Sequence, residues 1–192
     1  MKKEDISLET KHRMAQSLKK RMSQKSFEKI TVREILEDAN VTRPTFYYHF
    51  EDIYDLMAWT FDTELLTLLE KSKNCVAWDD GILLVLRYVE KNRAACLCAY
   101  NSIGRDMLQH LFLEKTKAIM QCFIDNLLAE YPARPCDVEF ITEFYTMSLV
   151  CVLIQWLLHP NGRTPETVIE QIDIALHGTI EEALKRSAAL NK

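Results

Sequence analysis

Apolar residues recur at three- and four-residue intervals along nearly the whole chain, and no stretch alternates as a half-buried strand would. This pattern predicts an all-α fold of about nine helices. In the first, Leu8, Ala15, Leu18 and Met22 share one face, with Lys11, Arg13, Lys19, Lys20 and Lys25 placed elsewhere. The stretch SFEKI at 26–30 breaks it. Thr31 then stands before Val32, with Glu34 three residues after Thr31, the signature of a capping box. It opens a short second helix with Val32, Ile35, Leu36 and Ala39 as the buried stripe. NVT at 40–42 reads as a turn: Asn40 tolerates the left-handed conformation, Thr42 can cap a third helix, and Pro44 is acceptable within a first turn. Two short helices so joined make a helix-turn-helix.

Asp52 can cap a long fourth helix running to about Lys71, and NCVAWDDG at 74–81 marks a bend. Further helices are expected at about 80–91, 93–101, 104–130, 136–158 and 165–188, interrupted by YPARP and HPNGRTP. The pattern divides the chain into a small helix-turn-helix domain, 1–52, and a larger helical body, 53–192. In that body Val138, Ile141, Tyr145, Leu149, Val152 and Trp156 fall at helical spacing, as do Val168, Ile172, Ala175, Ile180 and Leu184. Such faces suit either an internal core or a four-helix interface between two copies.

Charge adds an asymmetry that periodicity does not show. Residues 1–50 hold 11 Lys/Arg against 7 Asp/Glu, whereas the chain as a whole has net charge −4. A basic end on an acidic body suits a protein that presents one end to a polyanion. No apolar stretch follows the N-terminal lysines, so no signal peptide is expected. The longest apolar run, 147–158, falls short of the ~18 residues of a membrane span. Six cysteines inside helical patterns read as buried thiols of a reducing cytoplasm.

The stretch TRPTFYYHF at 42–50 concentrates aromatic rings beside an arginine. On a helix Phe46 and Phe50 lie four apart and can pack beneath the preceding helices, leaving Arg43, Pro44, Tyr47 and Tyr48 turned mostly outward. A helix with such an exposed N-terminal end can enter the DNA major groove. Arg43 can donate two hydrogen bonds to a guanine, and Thr45 can meet a thymine methyl or a phosphate. Thr31 can hold phosphate with its hydroxyl and the free amides of its helix end, beside its capping role.

These residues carry a resemblance. ITVREILEDANVTRPTFYYHFEDIYDLM, residues 30–57, resembles the signature of the TetR family of bacterial regulators, in which cap, turn, Tyr47, His49, Phe50 and Leu56 are fixed together. The body, with Trp156 before a Gly/Pro loop and a final helix, is similar to a Firmicutes-type subgroup of that family that includes activators of dihydroxyacetone metabolism. The resemblance implies that Arg43, Pro44, Thr45 and Tyr48 face bases while Thr31, Tyr47 and His49 hold phosphates of an inverted-repeat operator. It also implies a homodimer through the last two long helices and an inducer cavity in each body. One position departs from it: the family lysine at the start of helix four is Ile53 here, beside Glu51, Asp52 and Asp55. A phosphate left without its cation lowers the salt-dependent part of the affinity.

For the inducer, Tyr88, Tyr100, Phe112, Phe123, Phe144 and Trp156 either line a ligand cavity or fill plain core. Cys96 and Cys98, two apart on a helix, point roughly 200° from each other, so with His110 they make a poor metal site. No phosphate loop, nucleophile elbow or paired-histidine metal motif is present, so neither an enzyme nor a bound cofactor is expected. The reading is a cytoplasmic, ligand-responsive transcriptional regulator, a repressor by default. The alternative is a co-regulator with weak DNA binding that acts through a protein partner or as an activator.

Overall fold

In a computed structural model, residues 3–72, 78–102 and 104–190 are described, apart from the side chains of residues 3–6, 69, 71 and 72. They form α1 (Lys3–Met22), a single 3-10 turn (Phe27–Lys29), α2 (Val32–Ala39), α3 (Arg43–His49), α4 (Ile53–Ser72), α5 (Trp78–Lys91), α6 (Arg93–Tyr100), α7 (Arg105–Leu128), α8 (Pro135–Leu158), α9 (Pro165–Leu176) and α10 (Thr179–Ala189). No strand occurs among the described residues. The extra helix arises where a single one was expected at 165–188. Gly178 takes φ +70° there, a left-handed conformation that glycine adopts without steric cost and that divides α9 from α10. The bend expected at 74–81 lies partly outside the described residues, and Trp78 already belongs to α5.

The chain divides into two compact units. The first holds residues up to Glu64 together with Asn92–Gln109. Its core is built on Met14, Leu18, Ile35, Phe46, Leu56 and Phe61, each fully buried. Leu8, expected on the buried face of α1, is instead 50% exposed. It lies near the start of α1, and Thr10 and Met14 take the inward positions that follow. Ion pairs tie the elements at the rim: Lys19 to Glu64 at 2.8 Å and Lys25 to Glu34 at 2.6 Å. Asp38 accepts from Lys20 at 2.9 Å and forms an ion pair with Arg21 at 3.5 Å.

The second unit holds Leu65–Lys91 and the chain from His110 onward. Here α5 packs on α9, and α10 packs on α8. Trp156 is 2% exposed and donates its indole N–H to the Arg163 carbonyl at 2.9 Å, pinning the loop after α8. Tyr145 donates to Thr179 at 3.0 Å across α8 and α10. By length and composition α8 is apolar enough to cross a membrane, with mean hydropathy 1.6 over an 18-residue window. Half of that window is buried inside the fold. Ile141, Tyr145, Leu149 and Trp156 face inward, while Phe140, Phe144, Met147 and Val152 remain exposed. Val152, expected on the inward stripe, does lie on the inward arc by helical pitch but is 37% exposed, because it borders an open groove between α8 and α9.

Candidate nucleic-acid interface

The local chemistry of the interface begins at Thr31. Its backbone is extended and its hydroxyl accepts from the Glu34 N–H at 3.4 Å. Glu34 returns the bond by accepting from the Thr31 N–H at 3.0 Å, and Lys25 donates to both carboxylate oxygens at 2.6 and 2.7 Å. These bonds to the ionised form, Lys25 first, hold the Glu34 carboxyl down at about 2. The capping box is therefore complete, and it fixes the angle at which α2 leaves the 3-10 turn.

Asn40 closes α2 with φ 50° and ψ 55°, the left-handed cap its short polar side chain tolerates. The chain reverses within Asn40–Thr42, and α3 starts at Arg43 with Pro44 in its first turn. Thr42 occupies the cap position of α3 but makes no side-chain cap bond. Its hydroxyl pairs with that of Thr45 at 2.8 Å instead. The expected capping role is thus replaced by a hydroxyl pair on the first turn.

The aromatic stretch divides as helical geometry requires. Phe46 and Phe50 are 0% and 3% exposed, whereas Tyr48 is 80% and Tyr47 49% exposed. Arg43 and Pro44 are exposed, and Thr45 and His49 are half-buried. An open groove of about 790 Å³ runs between α2 and α3, with Thr31, Arg33, Glu37, Thr42, Arg43 and Tyr47 among its lining. The structure therefore brings Thr31, Arg43 and Tyr47 to one groove. The guanidinium of Arg43 lies over the Tyr47 ring, 5.6 Å from its centroid, and an Arg43 nitrogen donates to the Tyr47 hydroxyl at 3.5 Å. That stacking narrows the rotamers open to Arg43 and holds its fork at the mouth of the groove.

Arg33 and Glu37, missed by the sequence reading, pair at 2.7 Å on the same wall. Their i, i+4 spacing was the available signal. His49 is held below its ordinary value by burial and then by the charge of Lys11. At neutral pH it is an uncharged ring able to offer one N–H. At the start of α4, Asp52 accepts from the Tyr54 and Asp55 N–H groups at 2.8 and 2.9 Å, the cap expected of it. Asp55 in turn accepts from the Glu51 N–H at 3.0 Å. Two of the three carboxylates at this edge thus hold the helix terminus together.

The aromatic residues expected at a ligand cavity do not share one setting. Tyr100 belongs to the first unit and the other five to the second. Tyr88, Phe112 and Trp156 are buried and Phe123 is half-buried. Phe144 is 55% exposed and stacks on Phe140 with ring centroids 6.3 Å apart, so it lines no interior space of its own chain. Its position on α8 places it on the outer stripe, with its ring in edge-to-face contact with that of Tyr145, centroids 5.4 Å apart. What the sequence reading missed is Thr146, 3% exposed, whose hydroxyl has no hydrogen-bond partner among the described residues. Cys96 is fully buried with its thiol pushed up to about 12 by burial, and Cys98 donates to the Lys25 carbonyl at 3.5 Å. His110 pairs instead with Glu114 at 3.6 Å in the other unit. No group of three or more metal-binding side chains converges among the described residues.

Comparison with known proteins gives a consistent setting for this geometry. Residues 19–58, which contain α2, the turn and α3, match the family described as bacterial regulatory proteins, tetR family. Residues 77–178 match the family described as a transcriptional regulator C-terminal region. A curated relative, the HTH-type dhaKLM operon transcriptional activator DhaS of Lactococcus lactis subsp. lactis strain IL1403, is 30% identical over 158 residues. That match covers 81% of this chain and 83% of the relative. Among solved structures, a dihydroxyacetone kinase operon activator DhaS superposes with TM-score 0.76 at 21% identity, covering 90% of this chain and 97% of that one. A TetR transcriptional regulator from Streptococcus agalactiae 2603V superposes with TM-score 0.60 at 20% identity, covering 91% and 97%. At those identities the two structures share the fold.

Proposed function

The chain belongs to the TetR family of transcriptional regulators, and on that premise we propose that it binds an inverted-repeat operator as a homodimer, with α3 of each copy in the major groove. Arg43, Pro44, Thr45 and Tyr48 face bases in this reading, and Thr31, Tyr47 and His49 hold phosphates. The observation that carries it is the division of α3: Phe46 and Phe50 are sealed in the core while Tyr48 stands 80% exposed and exposed Arg43 stacks on Tyr47. An exposed arginine and exposed tyrosines on a short helix whose other face is core fit the surface that a groove-reading helix presents. DNA reading is assigned to residues 1–52, and dimerisation and ligand binding to 53–192.

Dimerisation uses the outer stripe of α8, where Phe140, Phe144 and Met147 are exposed, together with Ile174 of α9, 78% exposed. A ligand taken up by the second unit controls the spacing of the two recognition helices through its different affinity for the two arrangements. Support for that site comes from Thr146, since a buried hydroxyl without a protein partner is rare and suits a polar ligand atom. The similarity to the Lactococcus lactis operon activator favours positive control over the repression expected by default. Action on chromosomal DNA would place the protein in the cytoplasm.

The test is selection of bound sequences from a randomised duplex pool, run with wild type and Arg43→Ala. Wild type should enrich an inverted repeat with half-site centres about 34–36 Å apart. Arg43→Ala should enrich none while remaining dimeric. If wild type enriches no repeat, the operator reading falls.

A further inference from the structure

Lys19, Lys20 and Lys25 of the basic end are each committed to a carboxylate: Glu64 at 2.8 Å, Asp38 at 2.9 Å and Glu34 at 2.6 Å. Their charges are largely offset within the fold. Lys11 differs. Its ammonium stands 5.4 Å from the centroids of both Phe50 and Trp59, and no carboxylate pairs with it among the described residues. Phe50 is the residue that ends α3, His49 lies beside it, and Tyr48 contacts the His49 ring with centroids 4.9 Å apart. Lys11 therefore brings an uncommitted positive charge from α1 to the end of the recognition helix. Three residues after Phe50 in the chain, the start of α4 offers Ile53 between carboxylates.

We propose that Lys11, held on the Phe50 and Trp59 rings, is the cation that meets a DNA phosphate at this edge of the interface. The inference rests on the DNA-binding reading above. The aromatic shelf explains why an α1 residue can do this. The ammonium itself lies over the two rings, so the rotamers of Lys11 are restricted before DNA arrives. Binding then costs less side-chain entropy. Because Asp52 and Asp55 cap α4, they cannot be exchanged for cations without loosening that helix. A lysine supplied from α1 restores positive charge at the edge and leaves the cap intact.

The experiment measures binding of the full chain to a labelled mixed-sequence duplex by fluorescence anisotropy, from about 50 to about 200 mM salt. Lys11→Gln should lower the salt slope by about 0.9, the value for one phosphate contact, and weaken binding about eight-fold at about 0.1 M salt. Lys11→Arg should restore both. Lys11→Met, which keeps an apolar chain of similar length beside the rings, carries the same test should Lys11→Gln melt early. A wild-type slope in both uncharged variants would overturn the proposal, leaving Lys11 as a cover for the two rings. Failure of wild type to bind the duplex at any salt would instead remove the DNA-binding reading itself.

Discussion

Phe144 separates two accounts of the second unit. Sequence periodicity puts it among candidate cavity aromatics, whereas the structure leaves it 55% exposed on the outer stripe of α8. A phenylalanine side chain presents about 200 Å² when bare, so roughly 100 Å² of this ring is available to a partner. At about 25 cal/mol per Å² its burial in a dimer stabilises by about 2.5 kcal/mol, of which alanine would retain a fraction. A two-fold interface counts the residue twice, so Phe144→Ala should cost about 4 kcal/mol of dimer stability. That is close to a thousand-fold in the dimer dissociation constant. The assay is sedimentation velocity across a dilution series, paired with a thermal melt at concentrations where both proteins are monomeric. The expected result is a thousand-fold weaker dimer with an unchanged monomer melt. An unchanged dimer with a lower monomer melt would refute the reasoning, because Phe144 would then be interior packing.

Three other outcomes follow from particular contacts. Thr146→Val should raise stability by about 1 kcal/mol, or about 2–4 °C in Tm, since it removes a buried hydroxyl that has no partner among the described residues; a lower Tm in calorimetry would show that the hydroxyl is satisfied. Glu34 has its folded pKa depressed to about 2, so its stabilising effect is fully present above the ordinary carboxylate range and is lost as pH falls from about 4.5 towards 2. Melts of wild type and Glu34→Gln should accordingly differ at neutral pH and converge near pH 2, and a gap independent of pH would contradict the Lys25 and Thr31 bonds as its cause. Trp156→Phe should lower stability by about 2 kcal/mol, from removal of the indole bond to the Arg163 carbonyl and the smaller ring in a sealed site; an unchanged denaturant midpoint would count against that anchor.

The helix-turn-helix was legible in the sequence because its determinants are local. A threonine three residues before a glutamate, an asparagine at a left-handed position and a proline in a first turn each act within a few residues of themselves. The inward turn of Phe46 and Phe50 follows from helical pitch alone. What only the tertiary structure decided depends on residues far apart in the chain. Lys11 meets Phe50 and Trp59 across some forty residues, and no spacing rule links them. The break at Gly178 depended on a single backbone angle that neighbouring apolar periodicity concealed. Along α8 the sequence offers apolar residues nearly all round, so periodicity left open which were core and which were surface. Packing against α5 and α10 settled it by burying Tyr145, Leu149 and Trp156 and leaving Phe140, Phe144 and Met147 bare. Side-chain hydrophobicity sets how strongly a residue seeks burial, but only the neighbours brought by the fold determine whether it is met by its own chain or by another.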